Sequence, residues 1–83
     1  MSMNLTITAK LNDLSIGISV PQTPTEVTHK ILEQPNINAS FDVYREYIVS
    51  EFGEKDGNRS YNNLIKELNK YIKNGFTIKL GRI

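Results

Sequence analysis

The stretch "LTITAKLNDLSIGISV", residues 5–20, constrains the fold more than any other part of the chain. Apolar residues occupy alternate positions through Met3, Leu5, Ile7, Ala9 and Leu11, and again through Leu14, Ile16, Ile18 and Val20. A period of two marks a strand with one buried face. A two-residue turn at Asn12-Asp13 sets Leu11 opposite Leu14, Ala9 opposite Ile16, Ile7 opposite Ile18 and Leu5 opposite Val20. Every such pair is apolar against apolar, whereas a slip of one residue would bury Thr and Ser instead. Asn and Asp both tolerate the left-handed backbone of tight hairpin turns. The segment is predicted to be a β-hairpin of fixed register, and a lone hairpin needs a cover for its apolar face.

Three amphipathic stretches offer that cover. In "PQTPTEVTHKILEQP", Thr23 is an N-cap candidate, Pro24 suits the first helical position, and Glu26 completes a Thr-x-x-Glu capping box. Pro35 pushes Gln34 out of the helical region, so a helix is predicted over residues 24–33 with Val27, Ile31 and Leu32 inward. Ser40 is the predicted cap of a second helix, whose Phe41, Tyr44, Ile48 and Phe52 share a face and which Gly53 stops. "GEKDGNRS" reads as a polar loop. Ser60 then caps a third helix with Tyr61, Leu64, Ile65, Leu68, Tyr71 and Ile72 on one face. Asn74-Gly75 is a helix stop, and "FTIKL" alternates as a third strand. The predicted fold is α+β, a single domain over residues 1–83 with order β-β-α-α-α-β. Its small three-stranded sheet joins the N-terminal hairpin to the C-terminal strand, with the helices packed on one face. A crossover that skips one strand sets the last strand beside the first, in the order 2-1-3.

The 83 residues suffice for one core. The chain has no cysteine, which removes disulfides, thiolate metal sites and a Cys nucleophile, and fits a reducing compartment. No apolar run reaches the length of a membrane span, and no basic-then-apolar leader opens the chain. A cytoplasmic protein without membrane contact is therefore expected. The sequons at Asn4, Asn38 and Asn58 are what chance supplies in a chain with nine Asn.

Catalytic chemistry finds little support. His29 is the sole histidine and has no nucleophile or orienting acid at a useful spacing, so a surface position is expected. Asp42 and Glu46 share a helix face, but Arg45 lies beside them and the face is polar, which opposes the desolvation a general acid needs. The five glycines form no phosphate-binding spacing. Asp56, Asn58, Ser60, Asn62 and Glu67 match positions 1, 3, 5, 7 and 12 of a calcium loop, yet Tyr61 stands where the loop needs Gly. No enzyme, metal or cofactor is expected.

Two surfaces remain. Residues up to 58 carry four basic and eight acidic side chains, and those from 59 onward carry six basic and one acidic. The basic end gathers Asn62, Asn63, Lys66, Asn69, Lys70 and Lys73 on the outer face of the third helix, with Arg59 preceding it and Lys79 and Arg82 from the last strand. Such groups suit phosphates or an acidic partner. The second surface is the strand "LSIGISV", which lacks the charges and prolines that usually guard a sheet edge. An outermost position would let Ser15, Gly17 and Ser19 meet a partner strand or a second copy through residues 14–20. The expected function is a small non-enzymatic protein-binding module, an inhibitor or modulator of a larger protein. Abundant Asn, Ile and Lys suggest a phage or plasmid gene acting on a host or defence enzyme. The alternative is a nucleic-acid-binding regulator working through the third helix.

Overall fold

The computed structural model describes residues 4–82, so Met3 of the predicted strand lies outside the described residues. The chain runs β1 (Leu5–Leu11), β2 (Leu14–Ile18), α1 (Thr25–Leu32), α2 (Ile37–Phe52), α3 (Glu54–Lys73) and β3 (Thr77–Arg82). The strands form one antiparallel sheet in the order β2-β1-β3, as predicted. Ile7 faces Ile18, Ala9 faces Ile16 and Leu11 faces Leu14. On the other side of β1, Ile7 faces Leu80 and Ala9 faces Ile78.

Pleating sends Leu5, Ile7, Ala9 and Ile18 into the core, where Ile31 of α1, Tyr44 and Ile48 of α2, and Leu64 and Leu68 of α3 meet them. Lys10, Ser15, Gly17, Thr77 and Lys79 alternate onto the opposite face and are exposed. The hairpin turn places only Asn12 at a positive φ, 52°. The predicted pair Leu5–Val20 does not form, because β2 ends at Ile18. Instead the Leu5 amide donates to the hydroxyl of buried Thr23, 3.2 Å away. Thr23 therefore does not cap α1. Its side chain is turned into the core, Pro24 holds the N-cap position, and the predicted capping box is absent.

Two further expectations are corrected. Asn36 caps α2 by accepting from the Ala39 amide at 2.8 Å, while Ser40 is buried and donates to the Ile31 carbonyl at 2.7 Å. The stretch predicted as a polar loop is helix: α3 begins at Glu54, and Gly53 alone, at φ 88°, separates it from α2. Glu54 and Asp56 in the first turn complement the positive end of the helix dipole. The candidate calcium positions Asp56 to Glu67 thus lie along one continuous helix and form no loop.

The predicted stop at Asn74-Gly75 is a Schellman motif. Gly75, at φ 92°, donates to Ile72, and Phe76 donates to Tyr71. The Tyr71 and Phe76 rings meet edge to face at 5.4 Å, the apolar contact that accompanies this motif.

Candidate interaction surfaces

The hairpin geometry decides which backbone groups of β2 are free. A two-residue turn closes on a hydrogen-bonded pair, here Leu11 and Leu14, and hydrogen-bonded pairs alternate along an antiparallel ladder. Leu14, Ile16 and Ile18 therefore direct their amides and carbonyls to β1. Ser15 and Gly17 direct theirs outward, and β2 is an outermost strand. Ser15, Gly17 and the adjoining Ser19 are exposed, and a methyl group placed on Gly17 would meet nothing within 4 Å. Among the described residues β1 is the only strand beside β2, whose Ile16 and Ile18 side chains pack into the core. The opposite edge, β3, carries Lys79 and Arg82 and is guarded by charge.

Side chains along β2 grade from wet to dry. Leu14 is 53% exposed, Ile16 half-buried and Ile18 6% exposed. Leu14 thus falls outside the core in which the hairpin pattern placed it. Beyond Ile18 the chain continues through Ser19, Val20 and Pro21 along a cavity of about 180 Å³. Val20, Tyr44, Ile48 and Leu64 supply its apolar lining, and Asn63 and Glu67 of α3 stand at it. The cavity lies between the segment that follows β2 and the α2–α3 pair, which together supply its walls.

Tyr44 is almost wholly buried, and its hydroxyl has no hydrogen-bond partner among the described residues. Burial, reinforced by neighbouring Tyr47 and Tyr61, pushes its pKa up to about 12. Burial also raises the Tyr47 and Tyr61 hydroxyls. Tyr61 carries the Arg45 guanidinium over its ring at 5.9 Å, and Arg45 donates from Nε and Nη2 to Asn58 at 3.1 and 3.0 Å. These contacts zip α2 to α3 as an antiparallel pair.

The basic residues separate into groups. Arg59, Asn62, Lys66, Asn69, Lys70 and Lys73 are all exposed on the outer side of α3. Arg59 lies 3.9 Å from Asp56, and among the described residues no ion pair engages Lys66, Lys70 or Lys73. Lys79 pairs with Thr8 and projects from the bare face of the sheet, opposite the helices. Arg82 sits at the far end of β3, opposite Leu5. The sheet thus stands between Lys79 and the α3 cluster, a division that linear charge counting misses and strand parity reveals. A one-residue connection also makes α2-α3 a hairpin of helices lying along each other, unlike the crossed helices of a helix-turn-helix.

Asp42 and Glu46 are exposed, and His29 is half-buried on α1. Among the described residues no three His, Cys, Asp or Glu side chains are grouped to hold a metal, and no helix is long and apolar enough to cross a membrane. No protein-family model, curated protein or solved structure matches this chain.

Proposed function

We propose that this chain is a non-enzymatic, cytoplasmic protein-binding module that modulates or inhibits a larger protein by taking up one of its strands along β2. One observation carries this reading: the strand Leu14–Ile18 is uncharged, free of proline and outermost among the described residues, with the Ser15 and Gly17 backbone aimed outward. Strand addition there supplies main-chain hydrogen bonds for affinity and side-chain pockets for specificity. The acidic α2 and basic α3 steer a partner of mixed charge.

The test is affinity capture from a native lysate of the source cell, comparing wild type, Ser15→Lys/Ser19→Lys and Lys66→Ala/Lys70→Ala. The reading expects a protein held by wild type and by the α3 variant and released by the edge variant. Capture unchanged in the edge variant overturns it.

A second reading, a nucleic-acid-binding regulator, is favoured by the exposed Lys66, Lys70 and Lys73 on one side of α3, which no ion pair engages among the described residues. It expects a gel shift that weakens steeply with salt and a shallower salt slope in Lys66→Ala/Lys70→Ala. No shift at low salt ends it.

A further inference from the structure

The β2 edge is complementary to itself, and the complement includes the cavity beside it. We infer that two copies of this chain pair β2 against β2 about a two-fold axis through Gly17, each copy inserting Leu14 into the other's cavity. The inference rests on the reading of β2 as a strand-accepting edge and names its occupant.

The register follows from which backbone groups are free. Within β2, Ser15 and Gly17 point their amides and carbonyls outward, so hydrogen-bonded pairs between copies join odd-numbered residues. An axis at Gly17 sets Gly17 opposite Gly17 and Ser15 opposite Ser19, so the pairing extends the strand into the segment that follows Ile18. Even-numbered residues then match on the helix side, Ile16 against Ile18 and Leu14 against Val20. Apolar meets apolar on one face and small polar meets small polar on the other, with no charge in the pairing.

Among the described residues Leu14, Ile37, Phe52 and Ile72 are the exposed large apolar side chains, and Leu14 is the one that lies on the β2 edge. It sits at the wet end of β2, 53% exposed, while a cavity of mixed lining sits beyond the opposite end, beside Val20. An antiparallel second copy brings Leu14 over Val20 on the helix side, at the mouth of the cavity lined by Tyr44, Ile48 and Leu64. The cavity measures about 180 Å³, and about 150 Å³ is room for a benzene-sized guest, so a leucine side chain fits by volume against the Val20, Tyr44, Ile48 and Leu64 wall. The two-fold repeats the contact, the self-complementarity an isologous dimer requires. The other edge cannot do this, because β3 carries Lys79 and Arg82, and self-pairing there gathers like charge along the seam. Dimerisation joins two three-stranded sheets into one of six strands and occupies the edge, so a foreign strand competes with the second copy.

Two measurements on the full chain test this. Sedimentation across a concentration series expects wild type to pass from monomer to dimer. Leu14→Ser, changed at an exposed site, expects a dimer about tenfold weaker, the loss of roughly 1.4 kcal/mol. The chain has no cysteine, so one introduced thiol reports geometry alone. Facing Cα atoms in a hydrogen-bonded pair lie about 5.5 Å apart, within disulfide reach. Gly17→Cys, placed in open space, therefore oxidises to a covalent dimer. Ser15→Cys does not, because its counterpart lies four residues along the strand, about 13 Å away. Wild type that stays monomeric at the highest concentration, an unchanged dimer in Leu14→Ser, or equal cross-linking by both cysteine variants overturns the inference. A monomer whose partner capture still depends on Ser15 and Ser19 defeats the dimer and leaves the strand-accepting reading standing. A dimer whose capture ignores them does the reverse.

Discussion

Gly57 of α3 packs so closely on Val49 of α2 that a Cβ on the glycine would lie 2.6 Å from the Val49 Cα and 2.8 Å from the Ile48 carbonyl. Both obstacles are backbone, so neither can swing aside. On an open helix Gly→Ala adds about 1 kcal/mol of stability. Here the sign reverses, because the added methyl pushes α3 off α2. Gly57→Ala is expected to lose about 1–3 kcal/mol, the cost of overpacking, read by urea unfolding. A stabilised variant would mean that the helices are not this close.

Four groups form a directed hydrogen-bond chain at the start of α1. The Leu5 amide donates to Thr23, and Thr28 donates to the Pro24 carbonyl at 3.0 Å, so the Thr23 hydroxyl must donate to Thr28. Thr28→Val keeps the shape and removes the link, leaving a buried Thr23 proton without its acceptor. The expected loss is about 1–3 kcal/mol by denaturant unfolding. Ordinary surface-like tolerance at Thr28 would contradict the chain.

Tyr44 presents the opposite case, a buried hydroxyl with no hydrogen-bond partner among the described residues. Removing an unmet polar group from the core relieves its desolvation penalty while keeping the ring. Tyr44→Phe is expected to gain about 1 kcal/mol, a rise in Tm of about 4–8 °C. A loss of stability would show that the hydroxyl is satisfied.

The same burial makes the fold sensitive to alkali. Tyr44 holds its proton up to about pH 12 when folded, against an ordinary value of 10.0. Its contribution is complete below pH 10 and is lost as pH climbs from 10 to 12, where only the unfolded chain releases the proton. Thermal melts across that window should show Tm falling with pH, and falling less in Tyr44→Phe. Equal slopes would exclude Tyr44 as the source.

The parts of this fold that follow from periodicity were readable in advance. Two-residue alternation and a two-residue turn specify one register, and Asn74-Gly75 specifies where α3 ends. The start of α3 was hidden because "EKDGNRS" lacks an apolar stripe: its one core position is Gly57, buried for having no side chain. Gly53, followed by Glu54 and Asp56 in a first turn, was the available signal. Thr23 and Ser40 misled because hydroxyls that suit a cap also suit a buried bond to a distant carbonyl or amide, and only tertiary packing chooses. The free edge of β2 depended on strand order, and the cavity beside it on elements far apart in the chain. Ser15 and Gly17 could be named from sequence, whereas the role of Leu14 could not.

The most direct test of β2 as the interaction surface is residue-resolved amide exchange by NMR, in the free chain and in complex with the protein it captures. In the monomer, held below the concentration of self-association, the Leu14, Ile16 and Ile18 amides face β1 and exchange slowly, while those of Ser15 and Gly17 face solvent and exchange fast. Binding is expected to slow Ser15 and Gly17 at least tenfold and to leave Lys66 to Lys73 as they were. Binding that leaves Ser15 and Gly17 unchanged while protecting another surface would contradict this role of β2.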